Sequence, residues 1–154
     1  MPVDPQVQIL LNQIAAMGMP PLSKQTVEQA RALEMSAMIA TPEQVHQVEN
    51  REIPGPAGTI PVRIYTPEGN GPFPVLVFFH GGGWVIGNLD SHDGICRTLT
   101  NAVGCVVVSV DYRLAPEDKF PAAAEDSYAA TQWVAENAAS LNADPTHIAV
   151  GGDS

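Results

Sequence analysis

The chain has 154 residues, of which 45% are hydrophobic and 16% charged; this composition is typical of one globular domain and excludes a disordered or fibrous protein. Its formal net charge is −10 with only seven Lys and Arg residues, so we expect no nucleic-acid partner, since phosphate backbones attract clustered basic side chains. The two cysteines, Cys96 and Cys105, form no CxxC pair, which argues against a zinc site or a redox motif.

The N-terminal residues 1–45 are predicted to form helices. A first apolar set recurs at helical spacing and is ended by Gly18 and the prolines at 20–21: Val7, Leu10, Leu11, Ile14 and Met17. A second set lies between Ser23 and Pro42: Ala30, Leu33, Ala37 and Ala40. The first ten residues lack the basic and apolar regions of a signal peptide, and no apolar run is long enough to span a bilayer. We therefore expect a cytoplasmic protein without membrane insertion.

Strand patterns begin after residue 45. Residues 45–53 and 59–65 flank a turn rich in Pro and Gly, which predicts an antiparallel hairpin. Three later runs are continuously apolar, as expected of strands buried on both faces of a parallel sheet: 75–79, 106–110 and 148–150.

Two helices are predicted between these later strands. One covers 91–102, is closed by Gly104 and carries Ile95, Leu99 and Ala102 on one face; the other runs from Pro121 to about residue 141. Alternation of strand and helix favours an α/β fold with a mostly parallel central sheet, preceded here by an antiparallel N-terminal hairpin.

Three consecutive glycines follow the first buried strand, in the segment His80-Gly81-Gly82-Gly83-Trp84. Glycines allow positive φ, so backbone N–H groups can turn towards an oxyanion, where one such donor is typically worth about 3 kcal/mol in the transition state. A dinucleotide fingerprint is disfavoured because Ile86 occupies its last glycine position, and a phosphate-binding P-loop because no Lys follows. A plain tight turn is the remaining alternative.

A second segment, Gly151-Gly152-Asp153-Ser154, follows the last buried strand. Gly152-x-Ser154 is the first half of G-x-S-x-G, the strand-to-helix elbow that exposes a nucleophilic serine. A G-x-S triplet alone is weak evidence. It becomes strong when a triple-glycine loop precedes it by one strand–helix–strand–helix–strand unit.

Together with residues 111–117 (DYRLAPE) and 120–123 (FPAA), these two segments resemble the hormone-sensitive-lipase-like carboxylesterases of the α/β-hydrolase fold. The order and spacing match from about residue 45 onwards. The resemblance implies a helical cap over residues 1–45 and the N-terminal half of an α/β-hydrolase domain over 46–154. Of the family's nucleophile motif, G-D-S-A-G-G, only the first three letters are present.

The resemblance also implies roles for individual residues. Ser154 would be the nucleophile, and the N–H groups of Gly82 and Gly83 would form the oxyanion hole. The residues implied to support the site or wall the substrate pocket are His80, Gly81, Trp84 and Asp153. Three polar residues are implied to be buried scaffold: Arg113, Glu117 and Asp126.

The triad Asp and His follow the serine along the chain in α/β-hydrolases, so we expect both beyond residue 154, in a C-terminal half that this chain lacks. The four histidines present are His46, His80, His92 and His147, and none is expected to be the base. His92, with Asp90 and Asp93, suggests a metal site or, more often for such residues at a helix start, a capping arrangement.

The expected function is hydrolysis of short- to medium-chain carboxylic esters through a serine acyl-enzyme, with no cofactor and no metal. The expected partners are a small-molecule ester and the C-terminal half of the same protein, and a homo-oligomer is compatible with the sequence. Alternatives are a catalytically inactive small-molecule receptor of the same fold, or an inactive fragment, since residues 1–154 alone are expected to be inactive.

Overall fold

The computed structural model describes residues 2–16, 18, 20–36 and 42–154. These residues form four α-helices and five strands: α1 (Pro5–Ala16), α2 (Val27–Ser36), β1 (Gln47–Gly55), β2 (Gly58–Thr66), β3 (Phe73–Phe79), α3 (Asp93–Val103), β4 (Val106–Val110), α4 (Ala122–Asn137) and β5 (Ala143–Gly152). Two short 3₁₀ turns lie at Leu22–Lys24 and Ala138–Leu141. No helix in these ranges is both long and apolar enough to cross a membrane.

The strands form one sheet in the order β1-β2-β4-β3-β5. β1 and β2 form an antiparallel hairpin, β2 is antiparallel to β4, and β3 lies parallel to both β4 and β5. Every strand except β2 therefore runs in one direction. The expected mostly parallel sheet with an antiparallel N-terminal hairpin is confirmed.

The core lies on both faces of the sheet. All five residues of β4 are buried, and successive side chains of a strand point to opposite faces. Val106, Val108 and Val110 pack in a cluster with Ala130 and Val134 of α4. Val107 packs on the other face, with a cluster that contains Tyr65, Phe78 and Cys96 of α3. α3 and α4 consequently cover opposite faces, which explains the continuous apolar runs of β3 and β4.

The strand boundaries differ from prediction mainly at β5, which begins at Ala143 and not at Ile148. Among the described residues β5 pairs with β3, and its first half, 143–147, is mostly polar, so no apolar run marks the strand there. The hairpin turn is also shorter than expected, because Gly55 pairs with Gly58 across only Pro56 and Ala57.

The expected apolar face of α3 is confirmed for Leu99, which packs partly buried against the cluster of Tyr65 and Phe78, and is wrong for Ile95 and Ala102. Its buried residues are Cys96 and Thr100, whereas Ile95 is 41% exposed and Ala102 is exposed. Thr100 is buried without a polar cost because its hydroxyl donates to the Cys96 carbonyl, at 2.8 Å. Gly104 closes the helix as predicted, with its N–H on the Thr100 carbonyl.

The N-terminal helices form over the predicted residues but differ in how they pack. Val7, Leu11 and Ile14 of α1 are each 45% or more exposed, so this apolar face covers no core of the described chain. Ala30 of α2 is buried as its spacing suggested. Met17, Ala37 and Ala40 fall outside the described residues, and the side chains of Leu10 and Leu33 are likewise not described, so these five positions stay predictions.

Candidate active site

The glycine loop follows β3 directly and folds into a tight turn. The N–H groups of Val85 and Ile86 both donate to the Gly82 carbonyl, at 3.1 Å each. Gly82 and Gly83 have φ of 122° and 61°, in the region where a side chain is strained, and a Cβ on Gly82 would collide with the Ile86 carbonyl. The turn itself therefore requires glycine at 82, and it favours glycine at 83.

Trp84 also has a left-handed backbone, with φ of 61°, although it carries a large side chain. Its carbonyl accepts a hydrogen bond from the Ala115 N–H at 2.8 Å, which holds this residue against the segment after β4. The indole is 68% exposed and lines the space above the loop.

His80 lies beneath the loop and is only 2% exposed. Its ring stacks on that of Tyr112, with centroids 4.3 Å apart, and the Tyr112 hydroxyl donates to the His80 carbonyl at 2.5 Å. The His80 Nδ1 atom lies 2.9 Å from the Gly81 carbonyl oxygen. His80 and Tyr112 thus fix the start of the loop to the end of β4.

The end of β5 lies beside the same loop. A Cβ built on Gly81 would lie 2.8 Å from the Ser154 Oγ and 2.7 Å from the Asp153 Oδ2, so both side chains lie directly against this residue. The Gly81 N–H donates to the Asp153 Oδ1 at 2.7 Å. The hydroxyl of residue 154 and the glycine loop are therefore neighbours in space.

One cavity of about 440 Å³ joins the two segments. It is lined by the residues at 80–84 and by Ser154, and its further walls include Ala123, Ala124 and Ser127 of α4. A volume of this size is within the usual range for small-molecule sites. Gly82 and Gly83 donate no hydrogen bond from their backbone N–H groups to any residue that the structure describes. They are available to a ligand in this cavity.

The Asp153 carboxylate contacts the backbone of the loop through the Gly81 N–H. Burial acts to raise the pKa of its carboxyl, but the Gly81 N–H and the nearby His92 ring lower it by more, so this pKa lies below the usual Asp value. Asp153 is consequently ionised at neutral pH and serves as an acceptor for both groups.

Three polar residues were expected to be buried scaffold, and the structure supports two of them. Asp126 is 2% exposed and binds the Arg113 backbone N–H, Nε and Nη2 atoms at 2.8 to 3.0 Å. The expectation for Glu117 is wrong, because its side chain is 58% exposed and pairs with Arg31 of α2. Arg31 also donates to the Val85 and Ala115 carbonyls, so α2 is attached to the glycine loop.

His92 differs from both expectations made for it. It precedes α3 but makes no side-chain cap, and no cluster of three potential metal ligands occurs in the described ranges. Its Nε2 atom instead lies 3.2 Å from the Asp153 Oδ2. Sequence reasoning missed this contact, because the two residues are 61 positions apart and no motif joins them.

Comparison with known proteins identifies the family. A family model described as alpha/beta hydrolase fold matches residues 76–154, which is just over half of the chain. The chain belongs to the α/β-hydrolase family. The structure of an esterase from Pyrobaculum calidifontis superimposes on this hydrolase chain with a TM-score of 0.87 at 42% identity, covering 99% of this chain and 50% of that one.

The hydrolase relatives are esterases. The carboxylic ester hydrolase LipN of Mycobacterium tuberculosis is 46% identical over 99% of this chain and 42% of its own length. An ester hydrolase from the metagenome of Lake Arreo, solved with a bipyridine phosphonate derivative, gives a TM-score of 0.91 at 40% identity over 99% of this chain and 51% of that one. The resemblance to hormone-sensitive-lipase-like carboxylesterases is confirmed. The chain spans about half the length of these relatives.

Proposed function

We propose that the whole protein is a carboxylic ester hydrolase and that Ser154 is its nucleophile. The observation that carries the proposal is the position of the Ser154 Oγ beside Gly81, in one cavity with the unpaired amides of Gly82 and Gly83. A hydroxyl next to preorganised N–H donors is the arrangement that acyl transfer requires. The ester-hydrolase names of the relatives support the same reaction.

In the proposed reaction the Ser154 Oγ forms a bond to the ester carbonyl carbon and gives its proton to a base. The carbonyl oxygen becomes an oxyanion, which the Gly82 and Gly83 amides stabilise. The C–O bond to the alcohol then breaks, and the alcohol leaves with the proton. Water attacks the acyl-enzyme, releases the carboxylic acid and restores the serine.

The base and its orienting carboxylate are proposed to come from residues beyond 154, since the relatives are about twice as long as this chain. In the same proposal residues 46–154 are the first half of the hydrolase domain, and residues 1–45 are a cap that walls the acyl pocket together with Trp84. The hydrogen bonds from Arg31 of α2 to the loop residue Val85 and to Ala115 support this placement of the cap.

The test is the Ser154→Ala variant of the full-length protein with p-nitrophenyl butyrate as substrate. We expect a loss of kcat of about 10⁴-fold or more, because the acyl-enzyme cannot form. Ser140→Ala, which removes an exposed hydroxyl bonded to the Asn137 carbonyl, is the matched control and should leave kcat unchanged. Activity retained by Ser154→Ala would refute the assignment.

Short- to medium-chain acyl groups are proposed as substrates on the basis of the resemblance to the hormone-sensitive-lipase-like carboxylesterases. A series of p-nitrophenyl esters from acetate to palmitate tests this choice. A kcat/KM that keeps rising to the longest chain would contradict it.

A further inference from the structure

His92 lies in a closed set of polar contacts that ends at the glycine loop. Its Nε2 contacts the Asp153 Oδ2 at 3.2 Å, and the other oxygen of the same carboxylate accepts the Gly81 N–H at 2.7 Å. The His92 side chain is 11% exposed, and its ring lies 5.4 Å from that of His80. His92 is therefore a buried donor to the carboxylate that connects β5 to the loop.

The second nitrogen of His92 is also occupied. Its Nδ1 lies 2.9 Å from the Ser91 Oγ, and the Ser91 Oγ contacts the Asn88 N–H and carbonyl at 3.0 and 3.1 Å. An ionised carboxylate only accepts, so Nε2 must carry the hydrogen that points at Asp153. Ser91 can then donate to Nδ1, so both ring nitrogens of His92 have a partner.

These contacts restrain two residues, Asp153 and Gly81, that directly precede the proposed reacting groups in the sequence. Asp153 precedes Ser154, and Gly81 precedes the two glycines whose amides are unpaired. The Asp153 carboxylate is 37% exposed and could rotate towards solvent if nothing held its outer oxygen. The His92 contact opposes that rotation and so maintains the spacing between the hydroxyl at 154 and the amides at 82 and 83.

On this basis we propose that His92 is a positioning residue for ester hydrolysis. It acts through Asp153 and Gly81, and it sets the distance between the nucleophile and the oxyanion hole. The inference rests on the proposed function of Ser154 and adds a residue outside the triad and the glycine motif. Small errors in the placement of reacting groups can cost about 100-fold in rate, so the effect belongs to the chemical step.

The test uses two amide variants in the full-length protein. The amide nitrogen of Gln can reach the place of Nε2, whereas that of Asn reaches only the place of Nδ1. We expect His92→Asn to lower kcat roughly 10- to 100-fold with KM within about twofold of wild type, and His92→Gln to recover most of the loss. A structural role of the ring alone would affect both variants alike. The matched control is His147→Asn, at an exposed histidine that also pairs with an aspartate, Asp144.

Rates are counted per serine labelled by diisopropyl fluorophosphate, so that unfolded protein does not contribute. One outcome would overturn the positioning role and leave the proposed function intact. In that outcome Ser154 of the wild type is labelled, and His92→Asn has the same kcat as the wild type. If Ser154 of the wild type is not labelled and Ser154→Ala keeps its activity, the proposed function is refuted instead.

Two further measurements test the route through Asp153. In a double-mutant cycle, His92→Asn should add little to the loss caused by Asp153→Asn, because both changes break the same contact. Additive losses would contradict the route. Hydrogen exchange of the Gly81 amide should be faster in His92→Asn, and unchanged exchange would overturn the proposal irrespective of activity.

Discussion

Two regions with apolar sequence patterns, α1 and β4, differ completely in burial. The five residues of β4 are all buried, whereas Val7, Ile9, Leu11 and Ile14 of α1 are 45 to 59% exposed. The period of an apolar pattern therefore predicts the type of element, but it does not establish that the apolar face has a partner. A partner depends on neighbours that are distant in sequence.

α2 lies between these extremes. It buries Ala30 and forms hydrogen bonds to the loop through Arg31, yet the Glu117 partner of Arg31 is 58% exposed. The described contacts between α2 and the loop thus include hydrogen bonds from Arg31 to backbone carbonyls. Substitutions in the three regions should separate these contributions, in the following order of size.

The largest effect is expected in the sheet core. Ile53 of β1 is fully buried in the cluster that contacts α4, so Ile53→Ala should reduce the free energy of unfolding by about 2–5 kcal/mol. Urea unfolding of the full-length protein, followed by Trp fluorescence, measures this loss. A loss below about 1 kcal/mol would mean that the site collapses around the missing atoms.

A smaller effect is expected at the link between α2 and the loop. Arg31→Ala removes the hydrogen bonds to the Val85 and Ala115 carbonyls, and it should reduce the free energy of unfolding by about 1 kcal/mol. Thermal unfolding provides the measurement. Equal stability of variant and wild type would show that α2 is held by other contacts.

Glu117→Gln is the control for this link, because it weakens the ion pair and leaves both carbonyl hydrogen bonds. The Arg31 guanidinium lowers the pKa of the Glu117 carboxyl to about 2, below its unfolded value of 4.5. The stabilisation that this ion pair gives is present above pH 4.5 and is lost as the pH falls through about 2. The difference in stability between wild type and Glu117→Gln should shrink over that window.

The smallest effect is expected on α1. Ile14 is 45% exposed, so Ile14→Ala should change the free energy of unfolding by less than about 0.5 kcal/mol. Because Ile is replaced by Ala at both positions, urea unfolding compares the loss of free energy of unfolding in α1 directly with that in β1. A loss as large as that of Ile53→Ala would reveal a partner for the apolar face of α1.

Much of the fold could be predicted from the sequence because its central strands are buried on both faces. The runs at 75–79 and 106–110 lie within β3 and β4, and the Gly104 helix end is confirmed. Prediction was weakest where burial does not follow hydrophobicity. Thr100 is buried through a hydrogen bond to its own helix, and the first half of β5 has a polar sequence.

Those residues of the candidate site that belong to short sequence motifs could be predicted. The glycines at 81–83 and Ser154 belong to short motifs, and the structure brings them to one cavity. The contacts of His92 with Asp153 and of Arg31 with Val85 span 61 and 54 positions. No local pattern encodes such contacts, because they arise only when the strand ends and helices are assembled.

The α4 wall of the cavity has a separate consequence. Ala123, Ala124 and Ser127 are small residues, and the Ser127 hydroxyl is bonded within its own helix, to the Ala123 carbonyl. Bulkier side chains at these positions would narrow the cavity while every hydrogen bond of the glycine loop remains in place. The shape of the cavity and the geometry of the loop can thus be altered independently of one another.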